Sequence, residues 1–162
     1  MSNKIRLLIV DDEVEFLESI AKRLEMRDFN VRTAARGAEA VEIARNEKFD
    51  IALLDLKMPG IDGQEVLKIL KDEHKFLEVI ILTGHGSVDT AIECTKLGAF
   101  SYLPKPYELE KLLEVLMQAY EERLKKKFSA DESRMQKLTE IATGSSALGI
   151  LRAMRDLDDE EK

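Results

Sequence analysis

Five times along this 162-residue chain, a short strand-like stretch, mainly apolar in all but the second case, gives way to a longer one whose apolar residues recur at helical spacing. Leu7-Leu8-Ile9-Val10 stops at Asp11 and Asp12, which read as caps for a helix carrying Val14, Leu17, Ile20, Ala21 and Leu24. Phe29 to Ala34 contains Val31 and Thr33, and Gly37 then opens a helix with Ala40, Val41 and Ala44 on its inner side. Ile51-Ala52-Leu53-Leu54 stops at Asp55, ahead of a Pro59-Gly60 turn and a helix through Val66, Leu67, Ile69 and Leu70. Val79-Ile80-Ile81-Leu82 ends at Thr83. The loop Gly84-His85-Gly86 follows, and Ser87 caps a helix with Val88, Ala91, Ile92 and Thr95. The run from Phe100 to Leu103 is stopped by Pro104-Lys105-Pro106, and a long helix starts near Tyr107 and carries Leu109, Leu112, Leu113, Leu116, Tyr120 and Leu124.

Strict alternation of strand and helix with short loops demands a parallel sheet, right-handed crossovers and helices on both faces. The uninterrupted apolar runs suit strands buried on both sides. Five such units predict a flavodoxin-like (βα)5 doubly wound sheet in the order 2-1-3-4-5, which sets the ends of strands one and three side by side.

The carboxyl ends of strands in such a sheet form the ligand-binding crevice. Here they deliver Asp11 and Asp12, Asp55, Thr83 and Lys105 to one rim. Clustered carboxylates repel unless a cation sits among them, and Mg²⁺ with oxygen ligands suits a site that also holds phosphate. Asp55 is then a nucleophile that accepts a phosphoryl group. Lys105 supplies a compact positive charge, and the Thr83 hydroxyl donates to a phosphate oxygen. The Lys105-Pro106 bond is a candidate cis peptide. Taken singly, each feature has an ordinary explanation: a helix cap, a strand end, a turn.

Four separated motifs, in order, resemble the receiver domain of bacterial two-component response regulators. They are Val10-Asp11-Asp12-Glu13, the stretch from Leu54-Asp55 through Lys57-Met58-Pro59-Gly60 to Asp62-Gly63, Leu82-Thr83-Gly84, and Tyr102-Leu103-Pro104-Lys105-Pro106. The resemblance covers roughly residues 4–125. It implies that Asp55 takes its phosphoryl group from a sensor histidine kinase or a phosphotransfer protein. It also implies that Asp12 and the Lys57 backbone carbonyl ligate Mg²⁺ with Asp55, while Asp11 acts mostly through water. Thr83 and Tyr102 match the family's switch pair, which alters the surface of helix four, strand five and helix five. Gly84 stands where many receivers have alanine, and Lys57 and His85 occupy positions that tune phosphate lifetime. Such a domain catalyses its own phosphorylation and dephosphorylation and is otherwise no enzyme.

The remaining expectations concern class and tail. A net charge of −7 argues against non-specific nucleic-acid binding. No apolar run approaches the ~20 residues a membrane helix needs, and the single cysteine, Cys94, fits a reducing, cytoplasmic compartment as an inert buried thiol. His74 reads as a surface residue, and the basic cluster of Arg123, Lys125, Lys126 and Lys127 as the solvated end of a helix. The receiver is expected to span 1–125, with a helical extension over 126–162 and no recognisable output domain. Within it Ser129-Ala130-Asp131-Glu132 has capping-box spacing for a helix through Met135, Leu138 and Ile141 that Gly144 closes. Ser145 or Ser146 starts another, with Leu148, Leu151, Met154 and Leu157, before the acidic end. These helices are expected to pack on the chain's own surface or extend a homodimer contact, or else to dock an output partner. Two other functions fit the same residues: a Mg²⁺-dependent aspartyl-phosphate phosphatase, against which Lys57 stands where a second acid is needed, and a receiver-like interaction module that never meets phosphate.

Overall fold

The computed structural model describes residues 4–84 and 88–144, together with Arg155. Strands β1 (Ile5–Val10), β2 (Phe29–Ala34), β3 (Ile51–Leu54), β4 (Glu78–Thr83) and β5 (Ser101–Pro104) alternate with helices α1 (Val14–Glu25), α2 (Gly37–Asn46), α3 (Gly63–Glu73), α4 (Val88–Lys96) and α5 (Leu109–Gly144). All neighbouring strands are parallel, in the order β2-β1-β3-β4-β5. This is the doubly wound flavodoxin-like sheet that the alternation predicts.

Side-chain alternation along the central strands divides the core into two layers. Leu7 and Ile9 of β1, Ile51 and Leu53 of β3, and Ile80 and Leu82 of β4 face α1 and α5, where Leu17, Ile20, Leu24, Leu112 and Leu116 cover them. Leu8, Val10, Ala52, Leu54, Val79 and Ile81 face the other way, against Ala40, Val41, Val66, Leu67 and Leu70 of α2 and α3. Both β3 and β4 are buried along their whole length, which is why their sequences read as unbroken apolar runs.

The register brings the strand ends level. Val10 pairs with Leu54, and Thr83 pairs with Pro104, so the residues that follow leave the sheet together. Backbone bonds extend these ladders: Asp11 N–H donates to the Ala34 carbonyl at 3.1 Å, Asp55 N–H to Val10 at 3.0 Å, and Lys105 N–H to Thr83 at 3.0 Å.

Several local expectations are corrected. Neither Asp11 nor Asp12 is the N-cap of α1; Glu13 is, and Asp11 instead accepts the Glu13 N–H from two residues back at 2.9 Å. The helix does not restart at Ser129: α5 is one helix of 36 residues. Its capping-box spacing is overridden because good helix formers surround Ser129 on both sides. Beyond residue 126, Phe128 and Met135 on this helix are exposed. His74 is half-buried, with Nε2 2.6 Å from the Ala44 carbonyl oxygen, because the end of α3 lies against the last turns of α2.

The basic cluster on α5 is not simply solvated. Arg123 donates to the Asp50 carboxylate at 2.8 Å and to the Phe76 carbonyl at 2.9 Å, and Lys126 reaches Glu78 at 2.7 Å. Asp50 also receives the backbone and guanidinium of Arg6. Helix α5 is thereby fastened to the amino ends of β3 and β4, opposite the rim. Cys94 is buried as expected. No helix among the described residues is long and apolar enough to cross a membrane. The expected cap at Ser87, the loop residues His85 and Gly86, and the expected helix after Ser145 or Ser146 with its acidic end lie outside the described residues.

Candidate functional site

The structure gathers Asp11, Asp12, Asp55, Thr83 and Lys105 at the carboxyl end of the sheet. One carboxylate oxygen from each of Asp11, Asp12 and Asp55 lies within 4.8 Å of the other two. Asp11 and Asp55 are buried, at 2% and 3% exposure, while Asp12 faces solvent. The Lys105 ammonium is 2.5 Å from Asp11 Oδ2 and 4.0 Å from Asp55 Oδ2. The peptide joining Lys105 to Pro106 is cis.

Two glycines shape the loop that holds Asp55. Gly60 adopts a φ of +88°, a left-handed turn that follows Pro59. Gly63 has a different reason: an added Cβ would lie 2.5 Å from Leu56 Cα, 2.6 Å from the Leu56 carbonyl oxygen and 2.9 Å from that of Asp55. Its N–H donates to Leu56 O at 3.1 Å, so the start of α3 packs directly on the backbone that carries the carboxylate. Asp62 caps this helix by accepting the Gln64 N–H at 3.1 Å.

The electrostatics are those of a site short of positive charge. Burial pushes the Asp11 carboxyl above its ordinary value, and charge on Asp55 adds to this. Lys105 and the Glu13 N–H work in the opposite direction. Among the described residues, Lys105 is the cation paired with this cluster. Three carboxylates against one ammonium, all offering hard oxygen donors, are a donor set that fits a divalent cation such as Mg²⁺. The Lys57 N–H points at Asp55 Oδ1 over 3.4 Å, and this places the Lys57 backbone beside the same carboxylate.

Thr83 is fully buried at the end of β4. On neighbouring β5, two pairing positions back from Thr83 and opposite Ile81, Tyr102 packs half-buried against the core. Its hydroxyl is enclosed and has no hydrogen-bond partner among the described residues. Burial raises the Tyr102 phenol above its usual value, with smaller contributions from Cys94 and Asp55. The pair expected to act together thus lies on adjacent strands, on the side facing α4.

Sequence reasoning missed two residues near the rim. Phe16, in the first turn of α1, holds its ring 4.1 Å from the Lys105 ammonium. Tyr107 meets that ring edge-on, with centroids 6.0 Å apart at 90°. Burial pushes the Tyr107 phenol up to about 12. Together with Ile20, Arg23 and Pro106 they line an open groove of about 570 Å³ beside Lys105. In sequence Phe16 is one more apolar residue opening an amphipathic helix, and nothing local marks it out.

Comparison with known proteins identifies the family of the chain. The family described as "Response regulator receiver domain" matches residues 7–117. The putative response regulator NtrX-like of Rickettsia felis is 34% identical over 147 residues, covering 89% of this chain but 31% of that protein. The chain therefore spans under a third of that regulator's length. Among solved structures, a CheY-like receiver domain protein from Methanospirillum hungatei superposes with a TM-score of 0.74 at 31% identity, covering 76% of this chain and 99% of that one. The CheX-CheY-BeF3-Mg complex from Borrelia burgdorferi contains a chain with a TM-score of 0.68 at 31% identity, covering 72% of this chain and 89% of that one.

Proposed function

Because this chain belongs to the response regulator receiver family of two-component systems, we propose that Asp55 accepts a phosphoryl group from a histidine kinase or phosphotransfer protein and thereby switches an output surface. The observation that carries this reading is the buried Asp55 carboxylate at the end of β3, with Asp11 and Asp12 within 4.8 Å and the Lys105 ammonium 4.0 Å away. The solved neighbour that contains beryllofluoride and Mg²⁺ supports the same ligand chemistry here.

An Asp55 oxygen attacks phosphorus, forming an O–P bond as the donor's N–P bond breaks. The imidazole leaves, protonated, and a mixed anhydride remains on Asp55. Asp12, Asp55 and the Lys57 carbonyl, with Asp11 beside them, would hold Mg²⁺, which would supply charge neutralisation for the phosphoryl oxygens. Lys105 exchanges part of its bond to Asp11 for a phosphoryl oxygen. Buried Asp11 holds Lys105 over the site until the phosphoryl group arrives. Dephosphorylation is attack of water on phosphorus, which returns the carboxylate and inorganic phosphate. Both reactions are the domain's own, and it turns over no other substrate.

The Thr83 hydroxyl moves toward the phosphoryl group and Tyr102 takes up the space it leaves. The surface of α4, β5 and α5 changes with them. Moving such an equilibrium from 1:99 to 99:1 needs ~5.5 kcal/mol of differential stabilisation, within reach of new charged contacts to Lys105 and Thr83. In this reading residues 1–125 are the receiver, and 126–162 are an extension that reaches a partner or a second copy. Acetyl phosphate with Mg²⁺ should add one phosphoryl mass to the protein and none to Asp55→Asn. Undiminished labelling of that variant refutes the assignment.

A further inference from the structure

The contact between Lys105 and Phe16 lies outside the carboxylate cluster and bears on how the lysine works. Lysine is a strongly hydrated point charge on a flexible stem, and it loses much rotamer freedom when held at one place. Here the ammonium is drawn to Asp11 on one side and to the face of the Phe16 ring, 4.1 Å from its centroid, on another. Asp55 stands 4.0 Å away. The ring itself is constrained. It is half-buried on a helix whose next residue, Leu17, is anchored in the core, and Tyr107 meets it at 90°.

We propose that Phe16 is a positioning residue for phosphoryl transfer, its ring face holding the Lys105 ammonium where it can leave Asp11 for the phosphoryl group on Asp55. The negative quadrupole of the ring attracts a cation over a broad area rather than along one bond. An ammonium resting on it can therefore turn from one carboxylate toward the other while keeping this contact throughout. Asp11 alone would tether the lysine at a single point, and a leucine at position 16 would fill space without attracting charge. One side of the ring lines an open groove, so changing it seals no cavity into the core.

The inference rests on Asp55 being the phosphoacceptor, and its test separates the two claims. Site-specific installation of pentafluorophenylalanine at position 16 keeps the ring's shape and reverses its quadrupole. With acetyl phosphate and Mg²⁺, this variant and Phe16→Leu should be labelled roughly two- to thirty-fold more slowly, the range a cation–π contact spans. Phe16→Tyr should stay near the unmodified rate, and all should keep similar thermal midpoints. In the unphosphorylated, metal-free protein the Lys105 ε-methylene protons should show an upfield ring-current shift that Phe16→Leu abolishes. Labelling of the fluorinated variant at the unmodified rate, or Lys105 protons with no ring-current shift, overturns the role of Phe16 while leaving Asp55 intact. Absence of any labelling of the unmodified protein overturns the phosphoacceptor reading and this inference with it.

Discussion

Replacing Gly63 with alanine tests how tightly the start of α3 is coupled to the phosphoacceptor. The new Cβ would meet Leu56 Cα at 2.5 Å, Leu56 O at 2.6 Å and Asp55 O at 2.9 Å, all of them backbone atoms. Comfortable non-bonded separations are about 3.5–4.0 Å, so something must move by roughly 1 Å. Overpacking of this kind costs ~1–3 kcal/mol, and loss of the Gly63 bond to Leu56 adds ~0.5–1.5 kcal/mol. The better helix propensity of alanine offsets up to ~1 kcal/mol of that. A net loss near ~2 kcal/mol should lower the thermal midpoint by roughly 4–8 °C for a domain of this size. The backbone that yields also carries Asp55, and ~1 Å of misplacement at a reacting group can cost about 100-fold in rate. Gly60→Ala is the control. Nothing lies within 4 Å of a Cβ there, and only its φ of +88° is strained. It should therefore lose ~1–2 kcal/mol of stability with little change in labelling. Thermal melts and initial rates of acetyl phosphate labelling on both variants decide the matter. A Gly63→Ala protein that melts and labels like the unmodified one refutes the argument, as would equal slowing by Gly60→Ala.

Three further outcomes follow from other parts of the fold. Thr83→Ala should still bind beryllofluoride with Mg²⁺ but lose the change in amide exchange over α4, β5 and the start of α5; an unchanged exchange response counts against the switch. Arg123→Ala removes a partner from the Asp50 carboxylate but leaves Arg6, so it should cost ~1–3 kcal/mol near neutral pH by denaturant unfolding. Burial works to raise the Asp50 carboxyl, but bonds from Arg6 and the charges of Arg123 and Arg6 hold it below its ordinary value. Its contribution is thus present above about pH 4 and lost as pH falls through the lower folded value, so the gap between the two proteins should shrink there. Tyr107, raised from 10.0 to about 12, favours folding below its unfolded value, and that contribution is lost as pH rises through the folded one. Tyr107→Phe should flatten the alkaline stability limb between these values, and an unaltered limb would contradict the burial of this phenol.

The elements most legible in the sequence were those under two-sided burial. Strands β3 and β4 must be apolar on both faces, so their runs and their polar stops at Asp55 and Thr83 stand out without a structure. Edge strand β5 is less constrained, and its start falls one residue later than the apolar run suggests. The base of the sheet is harder to read, because no ligand crevice marks the amino ends of parallel strands. Asp50 and Glu78 stand at those ends, and Arg123 and Lys126, three apart on one helix face, were the signal that something pairs with them. Ser129 misled for a local reason, since a capping motif is a weak preference that neighbouring helix formers overrule. Gly63 lies within a motif seen in the sequence, but its role and that of Phe16 are not legible there, because they are contacts with the Asp55–Leu56 backbone and with Lys105, made across the fold.

Borohydride reduction of the labelled protein tests the central claim most directly, because it converts an aspartyl phosphate to homoserine and leaves a free carboxylate untouched. After treatment with acetyl phosphate and Mg²⁺, peptide mass spectrometry should find homoserine at position 55 and nowhere else, and none when the donor or the metal ion is omitted. Homoserine at position 11 or 12, or reduction that leaves position 55 as aspartate in a protein that has gained phosphoryl mass, would contradict the account.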